Sequence, residues 1–326
     1  MKWFMQKAAL ALFLCFFVEA LILPPPPLQA REKGRTELKI ALLSIVDALP
    51  YYVAEALNLF ADAGVKTVGV PVASGLERDQ LMQSGAIDGM LNEITSTAAF
   101  NREKVQVKII GSCRAAQKDF PLFRILAAPK SGIATPADLA GIPIGVSMNT
   151  IIEYVTDRIL TQKGLNPEQI EKKSVPVIPE RYQLLMQGQL IAATLPDPLA
   201  MSAMEAGALA VAEDADSPRF SLSVLTFSMR AIEEKTTAVH RFMKAWLQAV
   251  EKLNADPESF RTVLLEKIRV PKNVQKSYAI PPFAGATIPD REQWLDVMKW
   301  MVGKGLLSFP LPYEDSVTGS FLRGNE

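Results

Sequence analysis

Leu38-Lys39-Ile40-Ala41-Leu42-Leu43-Ser44 and Ile142-Pro143-Ile144-Gly145-Val146-Ser147 are two versions of one beginning. Each is an apolar or alternating strand followed directly by a serine, and each opens a stretch, 37 to 99 and 142 to 205, that follows a single plan. A helix comes next. Pro50 suits the opening turn of the first, whose Val53, Leu57, Phe60 and Ala61 share a face, and Ile152, Val155, Ile159 and Leu160 do the same in the second. Both helices run into a glycine, in Ala63-Gly64-Val65 and Lys163-Gly164-Leu165, where a left-handed residue closes the last turn.

The parallel continues. Val70-Pro71-Val72 and Val175-Pro176-Val177 read as short strands, and related helices follow, with Arg78-Asp79-Gln80-Leu81-Met82-Gln83 matching Arg181-Tyr182-Gln183-Leu184-Leu185-Met186-Gln187. A third strand, Ile87 to Leu91 or Leu190 to Leu195, leads to an acid, Glu93 or Asp197. Strands alternating with helices pair in parallel through right-handed crossovers, so each copy builds its own open sheet. The expected fold is therefore α/β and two-lobed, each lobe a mostly parallel sheet flanked by helices, with hinge strands between. Val105 to Ser112 and Leu122 to Ala128 are the candidates for carrying the chain across, and Thr135-Pro136-Ala137-Asp138 starts a capped helix beyond them. After the strand candidate Leu222 to Ser228, helices at Thr236 to Leu253, Pro257 to Ile268 and Arg291 to Gly303 are expected to return to the first lobe. The boundaries are 32–125 plus 222–326 for lobe one and 126–221 for lobe two.

With 326 residues, 49% of them hydrophobic, the chain has the length of about two domains and can bury a large core. Its 35 lysines and arginines balance 35 aspartates and glutamates, so no global field draws it to nucleic acid. The first 30 residues read as an export signal: Lys2 and Lys7, an apolar stretch from Ala8 to Val18, and a cleavage site at Leu28-Gln29-Ala30. Retention as an anchor, or lipid attachment at Cys15, are the alternatives; Glu19 and Pro24 to Pro27 count against the first and Leu14 against the second. Cleavage leaves Cys113 as the single thiol, expected as a small buried hydrophobe.

Ligands of open parallel sheets bind beyond the carboxyl ends of strands, where helix N-termini present free N–H groups. Two facing lobes pool those ends in one cleft. The turns there supply the candidate ligand-binding residues Asp47, Tyr51, Ser74, Asn92, Glu93, Ser147, Asn149, Glu153, Tyr154, Arg181 and Asp197. Four acids and two tyrosines against a single base, Arg181, suit a flat ligand with amino groups or positive charge. The same turns, through Ser74, Ser96, Ser147 and Arg181, could instead hold a sulfonate or carboxylate, and a zwitterion satisfies both sets. No nucleophile elbow, phosphate loop or dinucleotide fingerprint is present. With one mature cysteine and one histidine, His240, no zinc site of ordinary composition can be assembled. A cofactor-free monomer that is not an enzyme is expected.

Leu49-Pro50-Tyr51-Tyr52-Val53-Ala54, Gly85-Ala86-Ile87-Asp88-Gly89, Asp138-Leu139-Ala140-Gly141, Asp197-Pro198 and the segment Trp300-Met301 to Gly305-Leu306-Leu307 occur in an order that resembles the type II periplasmic binding proteins of the nitrate, sulfonate and thiamine-precursor branch. The likeness runs from about Leu38 to Leu322. It implies an extracytoplasmic solute-binding protein that closes by a hinge on a small molecule between its lobes and docks on the permease of an ABC importer. Of the solutes of that branch, an aminopyrimidine thiamine precursor suits the acids and tyrosines best; sulfonates, nitrate and aromatic acids are the alternatives. Thiamine-pyrimidine synthases share the branch, but the cysteine-rich motif of those enzymes is missing here.

Overall fold

A computed structural model describes residues 36–322. The expected export segment lies outside the described residues. In chain order the first half of the repeat comprises β1 (Glu37–Leu43), α1 (Leu49–Ala56), α2 (Leu59–Asp62), β2 (Lys66–Val72), α3 (Gly75–Gln83), β3 (Gly89–Glu93) and α4 (Ile94–Asn101). Strands β4 (Val107–Ala115) and β5 (Phe123–Ala127) follow. The second half comprises β6 (Ile144–Val146), α5 (Ile151–Gln162), β7 (Lys172–Ser174), α6 (Ile178–Met186), β8 (Ala192–Pro196), α7 (Leu199–Glu205) and β9 (Leu209–Glu213). The chain ends with β10 (Leu222–Ser228), α8 (Met229–Glu234), α9 (Thr236–Ala255), α10 (Arg261–Lys267), α11 (Arg291–Gly303) and α12 (Tyr313–Ser316).

Two five-stranded sheets result, ordered β2-β1-β3-β10-β4 and β7-β6-β8-β5-β9. The repeat is visible in their matching parallel triplets, β2-β1-β3 and β7-β6-β8. One strand in each sheet runs against its neighbours: β10 is antiparallel to β3 and β4, and β5 to β8 and β9. The glycine stops behave as their position demands, with Gly64 at φ +77° and Gly164 at φ +99°. Gly89 has a different reason: a Cβ there would lie 2.8 Å from the ring of Phe227 on the neighbouring strand.

Local expectations fail in three places. The first helix is not continuous: it breaks at Asn58, φ +56°, into α1 and α2, and Leu57, expected on the buried face, is exposed. The second Val-Pro-Val is not strand, because β7 stops at Ser174 and only Val175 N–H continues, to Val146 O at 2.8 Å. Its counterpart Pro71 is tolerated because β2 is an edge strand whose outer side needs no donor. The third strands begin two residues later than expected, since Ile87 and Leu190 are buried in the preceding turns rather than in the ladder.

The C-terminal helices divide between two places instead of returning together. Helices α8 to α10 cover sheet one, burying Val239, Phe242, Trp246, Leu253 and Leu264 in the same core as Leu38, Ile40 and Leu225. Helix α11 straddles the lobes: Trp294, Val297, Met298 and Trp300 share a core with Ile94 and Ala98 of α4 and with Ile152 and Val155 of α5. Polar contacts fasten it to α5, from Trp300 Nε1 to Asp157 Oδ2 at 2.9 Å and from Tyr154 Oη to Asp296 Oδ2 at 2.7 Å. A periodic apolar face says that a helix is covered but not by which sheet. Because Trp294 is fully buried and its Nε1 donates to Leu311 O at 2.9 Å, Trp294→Ala is expected to cost roughly 3–5 kcal/mol in urea unfolding.

Candidate functional site

Strands β1, β3, β6 and β8 all end on the side where the chain crosses between lobes, at 116–122 and again at 214–221. The parallel sense of the repeat therefore puts the carboxyl ends of both sheets around one space. Near the hinge that space forms a pocket of about 490 Å³, with Arg114, Phe120 and Tyr278 among its lining, with Asp197 and Met201 from lobe two, and with Arg124, whose strand β5 belongs to the second sheet and so starts lobe two a few residues earlier than expected. Beyond the hinge the lobes also touch, where Ser202 Oγ of α7 donates to Asn273 Oδ1 at 2.8 Å and Asn273 Nδ2 donates to Ser202 O at 3.0 Å.

Arg114 is buried to 2% exposure. Its Nε lies 3.3 Å from Asp47 Oδ1 and its Nη2 donates to Pro121 O at 3.3 Å, while Nη1 has no protein acceptor. Burial opposes its charge, but Asp47 and then Tyr278 hold the guanidinium protonated above its ordinary range. Burial likewise pushes the Tyr278 hydroxyl up, with Arg114 opposing. Arg124 is doubly engaged, by Asp197 and by Glu213 at 3.2 Å. Asp214, fully buried, ties the two crossings together: its carboxylate oxygens accept from Leu122 N–H and Phe123 N–H, both at 3.0 Å. Burial raises its pKa to about 7 against those hydrogen bonds.

Of the residues singled out in the sequence, Asp197 lines this pocket and Asp47 reaches it through Arg114. Glu93 is held by Arg78 at 3.4 Å, and burial raises its pKa with Arg78 opposing. Ser74 caps α3 by accepting from Glu77 N–H at 3.1 Å. Asn149 is exposed at φ +62° and gives its N–H to Glu153 Oε2 at 2.6 Å. Arg181 donates to Ser147 Oγ and to Val175 O, each at 2.9 Å.

Four candidates are structural. Tyr51 is fully buried against Phe60 and Tyr52 in the core of lobe one, and desolvation lifts its pKa to about 12. Tyr154 lies under α11, edge-on to Trp300. Glu153 has no exposed surface and is spent on Lys304 at 2.6 Å and Lys172 at 3.3 Å. Asn92 accepts from Thr226 Oγ1 at 2.6 Å and donates to Thr97 Oγ1 at 3.1 Å, binding β3 to β10 and α4. In each case the side chain is taken up by packing or by hydrogen bonds within the fold. The expectation of one base among free acids also changes, since Arg78, Arg114 and Arg124 neutralise Glu93, Asp47 and Asp197. Arg114 and Arg124 sit on strands outside the repeat, and Tyr278 in a loop, so no pattern marked them. Cys113 is buried as expected, its Sγ donating to Asp47 O at 3.1 Å. Among the described residues no cluster of His, Cys, Asp and Glu could hold a metal, and no helix is long and apolar enough to cross a membrane.

A family model described as NMT1/THI5 like matches residues 46–260. No curated protein matches the chain. Among solved structures, the alkanesulfonate-binding protein SsuA of Xanthomonas axonopodis pv. citri, bound to MOPS, superposes with a TM-score of 0.73 at 18% identity, covering 86% of this chain and 98% of its own. The periplasmic aliphatic sulphonate binding protein SsuA of Escherichia coli gives 0.73 at 16% identity, over 88% of this chain and 99% of its own. The desulfurization enzyme DSZB has the same fold, with a TM-score of 0.64 at 15% identity over 88% of this chain and 98% of its own.

Asp214 makes the hinge sensitive to pH. Its pKa is raised in the folded state, so it favours folding below the ordinary carboxyl range, and that contribution is lost as pH rises through about 7. Asp214→Asn is expected to flatten the fall in urea midpoint between pH 5 and pH 8, and equal slopes in both proteins would refute this role.

Proposed function

The chain belongs to the NMT1/THI5-like family, and from that premise we propose that it is the solute-binding component of an ABC importer, receiving a small organic anion with an apolar body between its lobes. The observation that carries the ligand class is Arg114: a buried guanidinium lining the pocket with Nη1 free of any protein acceptor. A sulfonate or carboxylate supplies the missing acceptor through a charge-assisted hydrogen bond. Met201, Met204 and Phe120 offer adaptable apolar surface to the rest of the molecule. The sulfonate binding of the two SsuA proteins supports the same class.

An aminopyrimidine, the first expectation from sequence, needs free acids, and the arginines at Glu93 and Asp197 take that basis away. A positive group is accommodated elsewhere. Asp119 and Glu205 line the pocket and form no ion pair among the described residues, which favours an amino group at the far end of the ligand from its anion. Binding rather than catalysis accounts for the site: the one histidine packs on Phe321 and does not line the pocket, and burial pushes the Cys113 thiol well above its ordinary range. Export, and docking on a membrane permease, follow from the same reading.

A thermal-shift panel tests the class, because ligand at a hundredfold over its Kd stabilises by about 2.7 kcal/mol. Alkanesulfonates and aminosulfonates are expected to raise Tm and aminopyrimidines to leave it unmoved; the reverse pattern would overturn the proposal. By calorimetry Arg114→Gln is expected to weaken the best sulfonate at least ~30-fold, since removing one member of a buried charged contact costs roughly 2–5 kcal/mol.

A further inference from the structure

Arg78 and Arg181 occupy the same place in the two halves of the repeat, each the fourth residue of its helix, α3 or α6. Their surroundings differ in one respect. Arg78, buried to 3%, has its charge answered by Asp79 at 2.8 Å and Glu93 at 3.4 Å, and it also donates to Leu91 O and Ser96 Oγ. In lobe two the counterpart of Asp79 is Tyr182, and the counterpart of Glu93 is Asp197, already taken by Arg124. Arg181 is therefore a fully buried guanidinium with no carboxylate beside it. Nη1 donates to Ser147 Oγ and Val175 O, while Nε and Nη2 have no acceptor among the described residues.

A buried charge without a partner is among the most unfavourable arrangements a core can hold. Burial accordingly draws the pKa of Arg181 down to about 10. The stem is closely packed: a Cβ on Gly145 would lie 2.7 Å from Leu190 Cδ1 and 3.3 Å from Cγ and Cδ of Arg181, so the strand gives space to both side chains. The bond to Ser147, the residue that directly follows β6, puts the guanidinium at the carboxyl edge of sheet two. The unfilled edge, Nε with Nη2, is the one that presents two parallel N–H donors to a single anion.

We propose that Arg181 forms an anion-binding site in lobe two, outside the residues that line the Arg114 pocket, and takes one small monovalent anion on its Nε–Nη2 edge. The anion is either an ion free in solution or the head group of an organic solute; the chemistry is the same. The site does not rest on the ligand class assigned to the Arg114 pocket. Tyr182→Asp gives the direct test, because it restores in lobe two the carboxylate that Asp79 supplies in lobe one.

The experiment compares thermal unfolding of wild type and Tyr182→Asp in titrations of sodium bromide and of sodium methanesulfonate. Wild type is expected to show a saturable rise of a few degrees that Tyr182→Asp has lost, its Tm already being higher without salt. A rise with bromide identifies a free ion as sufficient, and a rise with methanesulfonate alone identifies a head group; either supports the site. Equal salt dependence in the two proteins overturns it. Crystals of wild type soaked in bromide need no variant: an anomalous peak against Nε and Nη2 of Arg181 is expected, and peaks confined to the Arg114 pocket or the surface would count against the proposal.

Discussion

Strand β10 follows the last strand of lobe two, yet it is hydrogen-bonded on both sides within sheet one, antiparallel to β3 and to β4. No other strand pairs with β4, so the first sheet is joined into one only after the second lobe has been made. That insertion requires the chain to cross between lobes twice, and the strand directions put both crossings at the carboxyl edges of the sheets. The hinge and the ligand space are thus one consequence of the same pairing. Long-range closure of this kind carries an entropic cost that grows only slowly with loop length, and the inward apolar residues of β10, Val224, Leu225 and Phe227, all fully buried, offset it.

Much of this was legible because the repeat is local. Helical spacing at Ile152, Val155 and Ile159, a glycine that must go left-handed at Gly64 and Gly164, and a capping box at Thr135 and Asp138 are set by neighbours in sequence. The parallel triplets and the side on which ligands collect follow from those signals. Side-chain direction does not. Glu153 and Tyr154 open a helix at the cleft-facing end, but they point at Lys304 and Asp296 of a helix more than a hundred residues later. Arg114 and Arg124 read in sequence as ordinary polar positions of strands; only the hinge brings them to one pocket.

The charges around the cleft obey a rule that composition conceals. Glu93, Asp47 and Asp197 each meet an arginine of their own lobe, Arg78, Arg114 or Arg124. Pairs formed within a lobe survive any change in the angle between lobes, so opening the cleft bares none of these three carboxylates. The recognition chemistry then depends on what those pairs leave over. Buried donors remain on Arg114 and Arg181, and the exposed acids Asp119 and Glu205 remain at the pocket, so the four acids conspicuous in the sequence are not by themselves a guide to the ligand.

The two walls of the pocket belong to different lobes and are already in contact. Met201 comes from α7 of lobe two, Tyr278 from the loop after α10 of lobe one, and Ser202 and Asn273, beside each of them in sequence or in the same loop, hydrogen-bond across the gap. That loop leads on to α11, whose apolar face packs against both lobes. A molecule filling the pocket therefore touches α7 and the loop at once, and its contact energy is available only when the two stand at the closed distance. A ligand shifts a conformational equilibrium by its difference in affinity for the two states. Under the proposed function, a state with the lobes apart would lose one wall of the pocket, and occupancy and closure would be read by the same residues.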